Sequence, residues 1–131
     1  MTDVDYKVNP SLRPEDLASL MKESWGEETK HDYEAVLNRS YAFVCAYFPE
    51  DRLVGFVNLL WDGGAHVFLV DTTVHPDVQR RGIGQTLVKT AISIANQSGA
   101  EWVHVDYERY LGDFYTGCGF HSTPAGLIRL R

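Results

Sequence analysis

The sequence predicts an α/β fold built around one mixed sheet. Three observations carry this: a long stretch of helical apolar spacing after Ile83, three consecutive strand-like runs joined by short turns, and further strand and helix patterns on either side. The chain has 131 residues, 44% of them hydrophobic, which suits a single compact domain over residues 1–131 with a substantial core.

The elements follow in order. A short strand is expected near Val4 to Val8. "PEDLASLMKESWG" opens with Pro14 and two acids, which a helix start accepts, and closes at Gly26, which can take the left-handed conformation of a helix end. Leu17, Leu20, Met21 and Trp25 share one face of it. "HDYEAVLNRS" reads as a shorter helix capped by Asp32, with Val36 and Leu37 turned inward. "YAFVCAYF", "RLVGFVNLLW" and "AHVFLVDTTV" are rich in β-branched and aromatic residues, and the turns at Pro49-Glu50-Asp51 and Asp62-Gly63-Gly64 make them an antiparallel meander. From Ile83 the apolar positions Leu87, Val88, Ala91, Ile92, Ile94 and Ala95 gather on one helical side until Gly99. "EWVHVDY" is then a strand, "LGDFYTGCGF" a short helix closed by Gly117 or Gly119, and "AGLIRL" a last strand.

Composition narrows the function. Eighteen acids against 12 Lys plus Arg give a formal charge of -6, which lacks the basic footprint of a nucleic-acid binder and leans towards a cationic partner. No apolar run is long enough to cross a bilayer and the first residues do not read as a leader, so a soluble cytoplasmic protein without membrane contact is expected. Cys45 sits in an apolar run and Cys118 in a glycine turn, and their spacing suggests neither a disulfide framework nor a metal pair. The histidines His31, His66, His104 and His121 show no zinc-like spacing, so no metal is expected.

The stretch "HPDVQRRGIGQ" holds a turn, two arginines and two glycines just ahead of the long helix. Amides at a helix start have no intrahelical acceptor, so those around Gly82 to Gln85 can point at an anion, and glycine lets it approach closely. The helix dipole adds only about 0.3–2 kcal/mol, against roughly 1.5–3 kcal/mol for each hydrogen bond to a charged group. Several amides therefore make the main grip on a phosphate, with Arg80 or Arg81 in support. A dinucleotide loop would need a third glycine where Leu87 stands, and a nucleotide P-loop would need Gly-Lys-Ser/Thr. Neither pattern is met.

With "VDTTVHPDVQRRGIGQTLV" and the downstream "FYTGCGF" from Phe114 to Phe120 in view, the chain resembles the GNAT N-acetyltransferases. Gln79-Arg80-Arg81-Gly82-Ile83-Gly84 looks like their acetyl-coenzyme A signature, and "FYTGCGF" is similar to their second signature, an aromatic-Tyr helix ending in Gly-Phe. The resemblance implies a single-domain fold with helices on both sheet faces and splayed fourth and fifth strands. It also implies a pyrophosphate site on Gln79, Arg80, Arg81, Gly82, Ile83, Gly84 and Gln85, with the pantetheine arm and thioester beside Thr72, Thr73 and Val74. Glu108 departs from the family pattern where an asparagine is frequent, so that contact is not carried over.

Acetyl transfer from acetyl-CoA to an amine needs a neutral amine and a proton for the leaving thiolate. An alkyl ammonium of pKa ~10.4 is neutral in only about one part in a thousand near neutral pH, equivalent to roughly 4 kcal/mol of barrier. A base is therefore valuable, and general-acid help at the sulfur is worth about 10²–10⁴-fold. Tyr115 matches the tyrosine that donates this proton in many family members, the alternative being a packed aromatic beside Phe114. Asp71, on the strand leading to the loop, ranks first as base, against a carboxylate satisfied at a strand end. His75 reads as a turn histidine, while Glu23, Glu27 and Glu28 either line the acceptor pocket or mark a solvated helix end. Trp25, Tyr33 and Trp61 are either an acceptor wall or half-buried core. Cys118 reads as part of the turn, because direct transfer in a ternary complex needs no nucleophilic thiol. The acceptor is expected to be a small cationic amine, with a protein amine as the alternative, and the resemblance leaves room for a homodimer. The competing function is an acyl-CoA-binding sensor with little transfer.

Overall fold

The computed structural model describes residues 3–26 and 31–131. Its sheet has five strands: β1 (Asp5–Val8), β2 (Ala42–Phe48), β3 (Arg52–Trp61), β4 (His66–Val74) and β5 (Trp102–His104). They lie in the order β1-β2-β3-β4-β5. Neighbours from β1 to β4 are antiparallel, as short turns require, and β4 pairs with β5 in parallel across the intervening helix. The helices are α1 (Pro14–Trp25), α2 (Tyr33–Arg39), α3 (Ile83–Ser98) and α4 (Gly112–Gly117).

Strand alternation sorts the core into two layers. Val44 and Ala46 of β2, with Val57 and Leu59 of β3, face α3 and meet its Ile83, Leu87, Val88, Ala91 and Ala95. Cys45, Tyr47 and Phe56 face the other way and meet Leu17, Leu20 and Met21 of α1. The helix ends use the residues expected of them. Asp32 accepts the Ala35 amide at 3.1 Å, and Gly26, Gly82 and Gly99 all have positive φ at helix boundaries.

Three expectations change at the C-terminal side. β5 spans only Trp102–His104 of the predicted "EWVHVDY", because the chain beyond His104 leaves β4 and has no ladder to join. The final helix is preceded by a 3-10 turn over Arg109–Leu111, so α4 proper begins at Gly112. "AGLIRL" forms no strand, since no neighbouring strand offers it hydrogen bonds, and residues 121–131 are exposed throughout. Among the described residues no helix is long and apolar enough to cross a membrane.

Gly55 sets how closely α3 approaches the sheet. A Cβ there would lie 2.9 Å from Leu87 Cδ1, 3.2 Å from Ala46 Cβ and 3.3 Å from Ile83 Cγ2. Gly55→Val is expected to destabilise the fold by about 1–3 kcal/mol, the usual cost of overpacking, measured as a lowered denaturation midpoint at unchanged m-value.

Candidate active site

The site begins where the parallel pairing stops. β4 and β5 are paired at His66–Trp102, Val67–Val103 and Phe68–His104 and no further. β4 continues to Val74, so its backbone groups from Leu69 onward line an opening between diverging strands.

A bulge in β4 controls which side chains face that opening. Phe56 pairs with Thr73 and Asn58 with Val70, so Asp71 and Thr72 stand opposite Val57 alone. Asp71 takes the extra residue's strain with φ 60, a left-handed conformation that aspartate tolerates better than most residues. Thr73 then points to the α1 face: its hydroxyl contacts Met21 Sδ at 3.4 Å, donates to the Asp71 carbonyl at 3.0 Å, and accepts from Trp25 Nε1 at 3.3 Å. Thr72 and Val74 point to the opposite face, Thr72 beside Tyr115 and Val74 against Gly84. The Thr72 hydroxyl and Asn58 Oδ1 are buried with no hydrogen-bond partner among the described residues. Such groups are costly in a dry interior, and they flank the bulge.

Tyr115 is 5% exposed and sits in an aromatic cage. It stacks on Tyr107 with ring centroids 4.8 Å apart, and meets Phe114 and Phe120 edge-on. Burial pushes its phenol above the ordinary range, with the neighbouring Thr72 hydroxyl pulling the other way. The phenol therefore stays protonated at neutral pH and has a proton to give.

Asp71 opens to solvent on the α1 side, yet desolvation by the surrounding chain raises its carboxyl above the usual range, and the charge of His31 opposes the rise. A raised carboxylate is the stronger proton acceptor. His75 holds the end of β4 in place of acting as a free base. Its Nδ1 accepts the Asp77 amide at 3.1 Å, which leaves the proton on Nε2 for Glu23 Oε2 at 2.5 Å. Glu23 is thus turned to His75, whereas Glu27 and Glu28 lie outside the described residues. Trp25, 58% exposed, stands at the opening. Trp61 instead donates to the Gly64 carbonyl at 2.8 Å, beside Tyr41 at the far end of the sheet. Tyr33 is half-buried against the α1-side core.

The glycine loop is an arch pinned at both ends. Val78 and Ile83 are buried, 3% and 2% exposed, while Gln79, Arg80 and Arg81 between them face solvent. Gln79 ties the arch to β4 through Nε2 to the Val74 carbonyl at 3.2 Å. Arg80 and Gly82 have φ of 65 and 78, which curl the chain so that successive amides converge. No hydrogen bond among the described residues uses an amide between Gln79 and Gln85; the first helical bond runs from Thr86 to the Gly82 carbonyl at 3.1 Å. Ile83 can offer only its amide, its side chain being core. Gly84 lies against Phe114 and Val74, where a Cβ would stand at ordinary contact distance, 3.4 Å from Phe114 Cζ and 3.5 Å from Val74 Cγ2. Glu108 is exposed and starts the turn into α4. Two contributors were not legible in the sequence. Asn58 has no motif around it, and the partnership of Glu23 with His75 spans 52 positions.

Comparison with known proteins gives a consistent picture. The model of the acetyltransferase (GNAT) family matches residues 10–120. A mycothiol acetyltransferase of Mycolicibacterium vanbaalenii is 38% identical over 59 residues, which is 45% of this chain and only 20% of that protein. A GNAT-family acetyltransferase of Streptococcus pneumoniae superposes with TM-score 0.80 at 28% identity, covering 98% of this chain and 100% of that one. The Escherichia coli GNAT protein YhbS, solved with CoA, superposes with TM-score 0.75 at 17% identity, covering 92% of this chain and 70% of that one.

The thiols provide a check on the site's chemistry. Burial pushes Cys45 up to about 12, with Tyr47 opposing, and desolvation raises Cys118 against the pull of Lys89. Both hold less thiolate near neutral pH than a free cysteine. Iodoacetamide should therefore label the native protein at Cys118 alone, more slowly than a free thiol and faster as pH rises past about 8.5. Cys45 should react only after unfolding, and peptide mass spectrometry reads both outcomes. Unusually fast labelling of Cys118 would argue against its role as a turn residue.

Proposed function

Because the chain belongs to the GNAT acetyltransferase family, we propose that residues 1–131 act as one catalytic domain that moves an acetyl group from acetyl-CoA to an amine by direct attack in a ternary complex. The carrying observation is the alignment of three features along one opening: the arch of free amides before α3, the unpaired edge of β4, and the buried Tyr115 phenol beside Thr72.

The amides from Gln79 to Gln85 suit a pyrophosphate, helped by the α3 dipole and by the exposed Arg80 and Arg81. The free edge of β4 suits an extended amide-bearing arm, which would pair with it as an added strand beside Thr72, Thr73 and Val74. When bound, the thioester supplies an activated acetyl group. Tyr115 gives its proton to the departing sulfur, with the buried Thr72 hydroxyl beside the phenol at the same point. The upward shift of Tyr115 keeps that proton in place but weakens its acidity, so transfer gains most from a hydrogen bond already formed to the sulfur.

The acceptor enters from the α1 face. Asp71 takes a proton from its ammonium, directly or through water, while the Asp71 charge and the exposed Trp25 ring both favour a cation. This supports a small cationic amine over a protein amine.

Tyr115→Phe is expected to lower kcat by about 10²–10⁴-fold while leaving acetyl-CoA affinity nearly unchanged, as read by free-thiol release and by calorimetry. Asp71→Asn should lower kcat/KM and remove the acidic limb of the pH–rate profile, because the base works only when ionised. Binding of acetyl-CoA with no thiol release over a broad amine panel would favour the sensor function instead.

A further inference from the structure

Two histidines that no sequence spacing joins meet on the face of the sheet turned away from α3. Val67 and Val103 pack into the α3-side core, so strand alternation sends His66 and His104 to the opposite face. The parallel register pairs His66 with Trp102 and Phe68 with His104, which makes the two histidines diagonal neighbours across β4 and β5. His66 Nδ1 and His104 Nε2 stand 2.7 Å apart, although the residues are 38 positions apart in the chain.

The pair is held in place and open to solvent. Phe68 stacks on the His104 ring with centroids 4.5 Å apart and planes 14° apart, which orients that imidazole. The two rings border a groove of about 550 Å³ that Arg39, Leu60 and Asp62 also line. Both imidazoles are exposed, so a hydrated ion reaches them without any opening of the fold.

Two imidazole nitrogens this close share one proton, one donating and the other accepting. A divalent ion that takes the place of the proton uses both lone pairs. With metal–nitrogen bonds of about 2.0–2.1 Å, ligands at a right angle lie about 2.9 Å apart and tetrahedral ligands about 3.3 Å apart. The observed separation is nearer the right-angle value, which is the preference of Cu²⁺ and Ni²⁺.

We propose that His66 and His104 form a binding site for a tetragonal divalent ion, Cu²⁺ or Ni²⁺. The shared proton leaves to solvent as the ion binds. No cluster of three or more metal-ligating side chains exists among the described residues, so water fills the other positions on the groove side. Phe68–His104 is the last pair before β4 and β5 part, and the ion therefore clips the two strands together at the base of the opening.

The test is calorimetric titration of the tag-free chain with NiCl₂, with thermal melts in the presence and absence of the ion. One Ni²⁺ per chain and a raised melting temperature are expected. His66→Ala and His104→Ala should each abolish both effects, and melts without the ion show whether these surface variants are folded. His121→Ala and Cys118→Ser, which alter a remote exposed histidine and the more accessible thiol, should leave both effects intact. With Cu²⁺, the electron paramagnetic resonance spectrum of the parent should carry the hyperfine pattern of two imidazole nitrogens. Absence of saturable Ni²⁺ binding, binding that survives either histidine change, or a Cu²⁺ spectrum without two nitrogens overturns the proposal.

Discussion

Everything at the site depends on β4 and β5 being paired for three residues and then parting. A parallel ladder that ran on to Val74 would consume the backbone groups of β4 and leave no opening. Stopping at Phe68–His104 costs the fold some ladder bonds near its edge. In exchange it leaves the edge of β4 beyond Phe68 without a strand partner on that side. The buried side chains on the α3 face, including Leu69 and Val67, keep β4 rigid despite the missing partner.

The bulge at Asp71 and Thr72 turns that edge into a two-sided site. Without the extra residue, Thr72 and Thr73 would exchange faces, and the residue beside Tyr115 would no longer be the one whose hydroxyl lacks a partner. Positive φ at Asp71 and at Arg80 marks the strained backbone, a cost of order 1–3 kcal/mol at each such residue. Both points of strain flank the opening. The surrounding layers hold them: α1 through Thr73 and Met21, and the pair His75 and Glu23, which fastens the end of β4 to the same helix.

Much of this was legible in the sequence where local chemistry decides structure. Pro14, Asp32, Gly26 and Gly99 act at helix ends as their side chains or backbone freedom require, and the period from Ile83 to Ala95 gave the buried face of α3. The loop and Tyr115 were visible as motifs, and the structure joins them through Phe114, which lies against Gly84 and meets Tyr115 edge-on. What local pattern could not supply was anything set by a distant partner. β5 is shorter than its apolar run because its length is decided by β4, and "AGLIRL" has strand-like residues but no ladder to join. His75 looked like a turn histidine and is one, yet its second nitrogen is claimed by Glu23, far away along the chain. The bulge was hidden because Asp71-Thr72-Thr73 carries no glycine to announce it.

Gly84 shows how two motifs can share one physical constraint. Its missing side chain leaves room for the Phe114 ring, and Phe114 meets Tyr115 edge-on at 4.9 Å. The glycine turn before α3 and the Tyr115 ring are therefore separated by a single aromatic spacer. A methyl group added at Gly84 would meet that ring at ordinary van der Waals distance and fill the gap between turn and ring without displacing either. A side chain larger than alanine would have to push the ring aside, so the two ends of the cleft are linked through this one contact.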